Sequence, residues 1–171
     1  MVTILNSVDM ELADIEKVLL EQQDELVALE SETLIHRPEE DLINLNSKLA
    51  QVVIGVRRSG KSTLCFNALR KAGVHYAYVN FDDERLKDVE TKDLDNVLQS
   101  LYKIYGEFEY LFLDEIQIIS EFERVVDGLF IKDNVDIYIT GSNSYMLSGE
   151  LATYLTGRYI QIHMLPLSFS E

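Results

Sequence analysis

The chain has 171 residues, of which 47% are hydrophobic and 26% are charged, and this composition predicts one packed globular domain with a modest appendage. No apolar run approaches the about 20 residues that cross a bilayer, and acidic residues stand where a signal peptide would be basic. We therefore expect a cytoplasmic protein without membrane contact. A net charge of −15 opposes contact with phosphate backbones, so direct nucleic-acid binding is not expected.

The first predicted element is an acidic helix over residues 9–30. Apolar residues recur there at helical spacings with carboxylates between them, at Leu12, Ile15, Leu19, Leu26 and Leu29. Gln22 interrupts this apolar seam, so we expect the helix to pack on the core or on a protein partner rather than to form a coiled coil. We assign residues 1–33 to this acidic segment and residues 34–171 to the main domain.

A second helix is predicted to begin at Pro38, which suits a first helical turn, and to run through Leu49. After it, short apolar or β-branched runs alternate with helical patterns. Strands are predicted at 51–56, 75–81, 109–114, 135–140 and 158–164, and helices at 61–72, 91–105, 120–131 and 144–154. Strands joined by helical crossovers predict an α/β fold, in which a parallel sheet is covered by helices and ligands bind beyond the carboxyl ends of the strands.

The first of these strands leads into a loop of the form G-x-x-x-x-G-K-[ST]. The glycines allow the backbone N–H groups to turn inward, and the following helix N-terminus adds positive potential, so the loop predicts a nest for the phosphates of ATP. The candidate nucleotide residues are Gly55, Arg57, Arg58, Ser59, Gly60, Lys61, Ser62 and Thr63.

Each of these side chains has an expected role. Lys61 bridges the β- and γ-phosphates, Ser62 binds Mg²⁺ through its hydroxyl, and Thr63 contacts the α-phosphate. Arg57 and Arg58 either assist phosphate binding or point to solvent. A base-reading motif of the Asn-Lys-x-Asp kind, typical of GTP-binding proteins, is missing from the sequence, and this favours ATP.

The predicted strand YLFLD ends in a pair of carboxylates, Asp114 and Glu115, which follow Lys61 by more than one strand and helix unit. Asp114 is expected to hold a magnesium-bound water, and Glu115 to orient and deprotonate the water that attacks the γ-phosphate. The other interpretation is that the two carboxylates only solubilise the end of a strand.

Two more residues are candidates for catalysis. Asn143 follows the fourth predicted strand, where an amide could hydrogen-bond to the γ-phosphate and to the attacking water at once. The alternative is a simple Gly-Ser-Asn turn. Arg158 either acts as an arginine finger on the nucleotide of a neighbouring subunit, which requires a homo-oligomer, or forms a structural ion pair.

Together, the strings GVRRSGKSTL, YVNFDDERL, YLFLDEIQ, YITGSNSYMLS, LTGRY and HMLPLSFSE resemble the bacterial and archaeal AAA-type ATPases whose core is usually followed by a nuclease-like C-terminal domain. The resemblance covers roughly residues 34–171. It implies a five-stranded sheet of order 5-1-4-3-2, nucleotide and magnesium roles for Lys61 and Ser62, a hydrolytic pair at Asp114 and Glu115, and a sensor within TGSN.

In that family a PLSF-type segment leads into a helical lid, whereas this sequence ends at Glu171. We expect the lid and its arginine to be missing, which favours nucleotide binding over efficient turnover.

The first functional hypothesis is an ATPase that drives or regulates a partner or an attached domain. The second is a nucleotide-binding switch with negligible hydrolysis, whose acidic helix docks a protein partner. A small-molecule kinase is less attractive, because such kinases usually lack the paired Asp-Glu.

Overall fold

The computed structural model describes residues 10–29, 35–132, 135–142, 153, 155 and 157–166. The helices are α1 (Leu12–Leu29), α2 (Lys61–Ala72), α3 (Leu94–Tyr105) and α4 (Phe122–Lys132). The strands are β1 (Ala50–Gly55), β2 (Tyr76–Asn80), β3 (Tyr110–Asp114), β4 (Asp136–Gly141) and β5 (Tyr159–Met164). Short 3₁₀ turns lie at Pro38–Leu42, Glu84–Leu86, Thr91–Asp93 and Ile116–Ile118.

Most predicted elements are confirmed with ends shifted by no more than three residues. The predicted helix at 144–154 falls almost entirely outside the described residues. Among the helices that the structure describes, none combines the length and the apolarity needed to cross a membrane.

The five strands form one parallel sheet in the order β2-β3-β4-β1-β5, which is the predicted order read from the opposite edge. The central strands are buried along most of their length, as a sheet covered on both faces requires. Because all strands are parallel, the carboxyl ends of β1, β3 and β4 lie at the same edge of the sheet. That edge carries the predicted phosphate loop and the predicted carboxylate pair.

Alternate strand residues pack into two hydrophobic clusters, one on each face of the sheet. The first cluster joins the sheet to α1, α3 and α4, and the second joins it to α2. Helix α1 contributes to both, since Ile15, Val18 and Leu19 lie in the first cluster and Leu26 lies in the second. The helix therefore crosses the edge of the sheet at β2 and packs on the core of the same chain.

Gln22 lies at this crossing and is 2% exposed. Its Nε2 donates to the backbone oxygen of Asn80 at 3.0 Å, and its Oε1 accepts from the backbone nitrogen of Asn80 at 3.0 Å. The same Nε2 lies 3.0 Å from Oδ2 of Asp83. An edge strand leaves backbone groups without a neighbouring strand, and here a glutamine side chain satisfies two of them. The interruption in the apolar seam is thus a specific attachment of α1 to β2.

The predicted second helix is wrong beyond its first turn. The chain forms a 3₁₀ turn over Pro38–Leu42 and then continues as loop until β1. Polar side chains bond to nearby backbone in that loop, because Asn44 Oδ1 accepts from the nitrogen of Asn46 at 3.0 Å and Ser47 Oγ accepts from the nitrogen of Leu49 at 3.1 Å. Such local bonds compete with the helical pattern, which explains why the periodic leucines do not form a helix.

The 3₁₀ turn is anchored to α2 by Glu40, whose side chain is 4% exposed. Its carboxylate accepts from Nδ2 of Asn67 at 2.8 Å and from the nitrogen of Arg37 at 3.0 Å, and it pairs with Lys71 and with His36. Burial raises the pKa of Glu40, but these hydrogen bonds outweigh burial and lower its pKa to about 2. The turn therefore holds a charged carboxylate against the helix that begins at the phosphate loop.

Candidate functional site

The loop between β1 and α2 has the backbone of an anion nest. Arg58 and Gly60 both have positive φ values, of 64° and 90°, and the nitrogen of Ser59 donates to the oxygen of Val56 at 3.2 Å. Gly60 is the N-cap residue of α2 and has no side chain, so it does not bind the first N–H groups of this helix. These groups are suited to bind phosphate oxygens.

Gly55 is required for a reason that the sequence did not reveal. A Cβ atom at this position would lie 2.3 Å from the backbone oxygen of Met164 and 2.9 Å from Oγ of Ser59. The close approach of the end of β5 therefore excludes any side chain here. By contrast, Gly60 is favoured by its left-handed backbone.

Lys61 is the first residue of α2, and its side chain is 3% exposed. Its Nζ lies 3.1 Å from the oxygen of Val56 and 3.3 Å from Oε1 of Glu115. The loop lysine and the carboxylate after β3, which were predicted separately, are therefore in direct contact.

Asp114 is the most enclosed acidic residue of the site, at 4% exposure. Its Oδ1 accepts hydrogen bonds from Oγ of Ser62 at 2.9 Å and from Oγ1 of Thr140, and its Oδ2 accepts from the hydroxyl of Tyr78 at 3.2 Å. Burial raises the pKa of Asp114, the three hydroxyl groups act in the opposite direction, and the nearby charge of Glu115 raises it further. The net effect is a raised pKa, so a bound cation would stabilise the charged form of this carboxylate.

Glu115 follows β3 in a left-handed backbone conformation, with φ of 53°. Its nitrogen donates to Oγ1 of Thr140 at 3.0 Å, and its Oε2 accepts from Nε2 of Gln117 at 2.6 Å. A non-glycine residue held at positive φ is uncommon and is concentrated at functional sites. Thr140 and Gln117 were not among the predicted site residues, although both stand within the strings TGSN and DEIQ.

The remaining loop side chains take different positions. Arg57 is 73% exposed and pairs with Asp82 at 2.8 Å, which ties the loop to the turn after β2. The side chain of Arg58 is exposed, and Ser59 is buried with its Oγ lacking a partner among the described residues. Thr63 lines a cavity of about 370 Å³ together with Ser62, Asp114 and aromatic residues of α2 and β2.

A comparison with protein-family models adds an independent finding. Residues 47–171 match the model of the family described as "AAA domain". The match covers well over half of the chain. The chain belongs to the AAA domain family.

Two relatives of this AAA domain carry the name "Uncharacterized protein". One, from Haemophilus influenzae, is 40% identical over 128 residues, which make up 71% of this chain and 32% of that protein. The other, from Methanocaldococcus jannaschii, is 35% identical over 158 residues, or 91% of this chain and 35% of that protein. The chain thus spans about one third of the length of the curated relatives it matches.

Among solved structures, the Pif1 helicase from Candida albicans aligns with 80% of this chain and 41% of its own chain, at 10% sequence identity and a TM-score of 0.46.

The two remaining catalytic candidates of the AAA domain are Asn143 and Arg158. Asn143 lies outside the described residues. Arg158 immediately precedes β5, and its backbone oxygen accepts from the nitrogen of Ala50 at 3.0 Å, at the amino end of β1. Its Nη2 donates to Oδ1 of Asp127 at 2.7 Å. Arg158 therefore lies at the amino ends of the strands, opposite the β1–α2 loop, and forms an ion pair with α4.

The donor atoms at the site suit Mg²⁺ bound together with a nucleotide. The Ser62 hydroxyl and the Asp114 carboxylate are 2.9 Å apart, and both are oxygen donors. In the described parts of the chain, no group of three or more His, Cys, Asp or Glu residues could hold a metal ion. An ion here would therefore need further oxygen ligands from phosphate and water, which is the usual arrangement for Mg²⁺.

Proposed function

We propose that this AAA domain binds ATP with Mg²⁺, hydrolyses it, and uses the change to drive or regulate a partner or an attached domain. The observation that carries this proposal is the contact network at the carboxyl edge of the sheet. It links Lys61 to Glu115 and Ser62 to Asp114, so residues from the start of α2 and from the end of β3 meet at one point. The AAA family assignment supports the nucleotide-binding part of the proposal.

In the proposed reaction each residue has a separate task. Lys61 leaves Glu115 and binds the β- and γ-phosphates, while the backbone N–H groups of the loop surround them. Ser62 and Asp114 would hold Mg²⁺, which would neutralise charge on the phosphate oxygens. Glu115, freed from Lys61, accepts a proton from the water whose oxygen attacks the γ-phosphorus. The bond between the γ-phosphorus and the bridging oxygen breaks, and ADP and phosphate leave. Thr140 orients both carboxylate residues through one hydroxyl group.

The mechanical use of ATP is proposed from the organisation of the chain. This chain matches about one third of the length of each relative. We expect such a domain to act on other parts of a longer protein or on a partner. We also propose the boundary between the acidic segment and the main domain after residue 33. The family match begins at residue 47, and α1, which lies before the boundary, packs on the sheet. In this arrangement a partner that binds α1 would act on β2, because Gln22 attaches the helix to that strand.

The test measures ATP binding and phosphate release by the wild type, Glu115→Gln and Lys61→Ala, with Lys87→Ala as a control on an exposed lysine. We expect Glu115→Gln to bind ATP but to lose turnover by about a hundredfold or more, as removal of a general base does. Lys61→Ala should lose ATP binding, and Lys87→Ala should behave as the wild type. A wild type that does not bind ATP would overturn the proposal.

The second candidate function is a nucleotide switch, because the ion pair with Lys61 occupies the Glu115 carboxylate that would otherwise accept a proton from water. The same measurements separate the two functions. Binding that depends on Lys61, without Mg²⁺-dependent phosphate release from the wild type, would favour the switch.

The homo-oligomer and the finger role of Arg158 are also proposals. Asp127→Asn weakens the ion pair but retains the arginine, whereas Arg158→Ala removes both. We expect Arg158→Ala to lower turnover and Asp127→Asn to leave turnover nearly unchanged. We also expect the wild type to form a particle of higher mass when ATP is added. Equal effects of the two variants would indicate a structural ion pair instead.

A further inference from the structure

Gln117 is the residue of the site that sequence patterns left without a role. It lies in the 3₁₀ turn Ile116–Ile118, immediately after Glu115. Its Nε2 donates to Oε2 of Glu115 at 2.6 Å and lies 3.5 Å from Oγ of Ser142, beyond the end of β4. The side chain thus connects the residue that follows β3 with the residue that follows β4.

The two oxygens of the Glu115 carboxylate have different partners. Oε1 faces Nζ of Lys61, and Oε2 accepts from Gln117. ATP binding would weaken this ion pair, because the Lys61 ammonium group would then bind the phosphates. Among the described residues, Gln117 is then the side chain that still holds the Glu115 carboxylate.

The orientation of the Gln117 amide follows from its surroundings. If the amide were flipped, its oxygen would face the oxygen of Glu115, and the hydrogen bond would be replaced by repulsion. Oε1 of Gln117 is buried and has no hydrogen-bond partner among the described residues, so no competing contact favours the flipped state. The backbone of Glu115 is fixed separately by Thr140. Side chain and backbone of the hydrolytic residue are therefore held by two different groups.

We propose that Gln117 is a positioning residue for ATP hydrolysis. Its amide N–H keeps the Glu115 carboxylate directed at the attacking water after ATP has engaged Lys61. This inference rests on the proposed function, and it adds a residue that acts through Glu115 without touching the nucleotide. Its loss should therefore reduce the chemical step and leave ATP binding in place.

The experiment compares Gln117→Ala, which removes the amide, with Gln117→Glu, which retains the size of the side chain but replaces the donor by an acceptor. Gln99→Ala, an exposed glutamine on α3, is the matched control. The measurements are kcat, KM for ATP, and the dissociation constants of ADP and of ADP with aluminium fluoride, which mimics the transferring phosphoryl group. Circular dichroism and thermal unfolding establish that each variant is folded.

We expect both Gln117 variants to lower kcat by about 10- to 100-fold, the effect of losing one hydrogen bond to a charged group, while KM changes by less than about threefold. Both should also lose the tighter binding of ADP with aluminium fluoride relative to ADP, since that complex requires the positioned water. Gln99→Ala should match the wild type. Gln117→Glu tests the inference independently if Gln117→Ala does not fold.

Two outcomes would overturn the inference, and they differ in what else they affect. If the wild type turns over ATP, Glu115→Gln is inactive and the Gln117 variants match the wild type, Gln117 has no positioning role and the proposed function stands. If the wild type neither turns over ATP nor distinguishes ADP with aluminium fluoride from ADP, both proposals fail, because no attacking water is held.

Discussion

Lys61 and Glu115 form an ion pair in which Nζ lies 3.3 Å from Oε1, with side chains that are 3% and 15% exposed. The pair joins the residue predicted to bind phosphate with the residue predicted to activate water. Because each charge neutralises the other in a largely dry environment, we expect an incoming nucleotide to compete with Glu115 for the lysine.

We predict that Glu115→Gln strengthens ATP binding by about three- to tenfold, because a neutral amide competes less well for Lys61, an effect of about 1 kcal/mol. Isothermal titration calorimetry with ATP measures the change, and Glu107→Gln serves as the control at an exposed carboxylate. An unchanged or weaker affinity of Glu115→Gln would show that the ion pair does not oppose nucleotide binding.

We predict that Gly55→Ala destabilises the protein by about 1–3 kcal/mol or more, the cost of overpacking. The new Cβ would meet the backbone oxygen of Met164 at 2.3 Å, and the parallel pairing of β1 with β5 resists a shift of that backbone. The matched control is Gly128→Ala in α4, where a Cβ would meet nothing within 4 Å. This control should stabilise the helix by about 0.5–1 kcal/mol. Urea unfolding of both variants tests the contrast, and equal effects would contradict it.

We predict that Gln22→Leu lowers the free energy of unfolding by about 2–4 kcal/mol, because it leaves the nitrogen and the oxygen of Asn80 without their partner. A leucine would continue the apolar seam of α1, so a helix that only needed apolar contacts would become more stable. Urea unfolding decides between these results, with Gln23→Leu as the control on the same helix. Faster hydrogen exchange of the Asn80 amide would locate the change at the edge of β2.

We predict that Glu40 makes stability depend on pH in the acidic range. Its pKa is about 2 in the folded protein, below the ordinary value of 4.5, so the stabilisation is complete above about pH 4.5 and is lost as the pH falls towards 2. The loss amounts to at most about 3 kcal/mol. Urea unfolding between pH 7 and pH 3 should show a smaller decrease in Glu40→Gln than in the wild type. Parallel curves for the two proteins would exclude this contribution.

Local patterns were sufficient to predict most of the architecture. Buried parallel strands are short and apolar, and helices repeat their apolar residues at a different period, so both are visible in sequence. The strand order came instead from the family resemblance. The one wrong element, the helix through Leu49, failed because the side chains of Asn44 and Ser47 bond to backbone groups, a competition that apolar periodicity does not reveal.

The candidate site was predicted in its parts. The glycine-rich loop and the Asp-Glu pair are recognisable because phosphate and Mg²⁺ require particular residue types at fixed spacing. Thr140 and Gln117 were not predicted as site residues, because a threonine and a glutamine near strand ends have many ordinary roles. Only their contacts with Asp114 and Glu115 identify them.

The sequence by itself determined the residue types that can bind a nucleotide, the alternation of strands and helices, and the amphipathic character of α1. Only the tertiary structure decided which of these groups meet. Lys61 contacts Glu115 because β1 and β3 end at the same edge of a parallel sheet, and Gln22 is buried because α1 crosses the edge strand β2. Such contacts depend on the relative positions of elements far apart in the chain, and local periodicity carries no information about those positions.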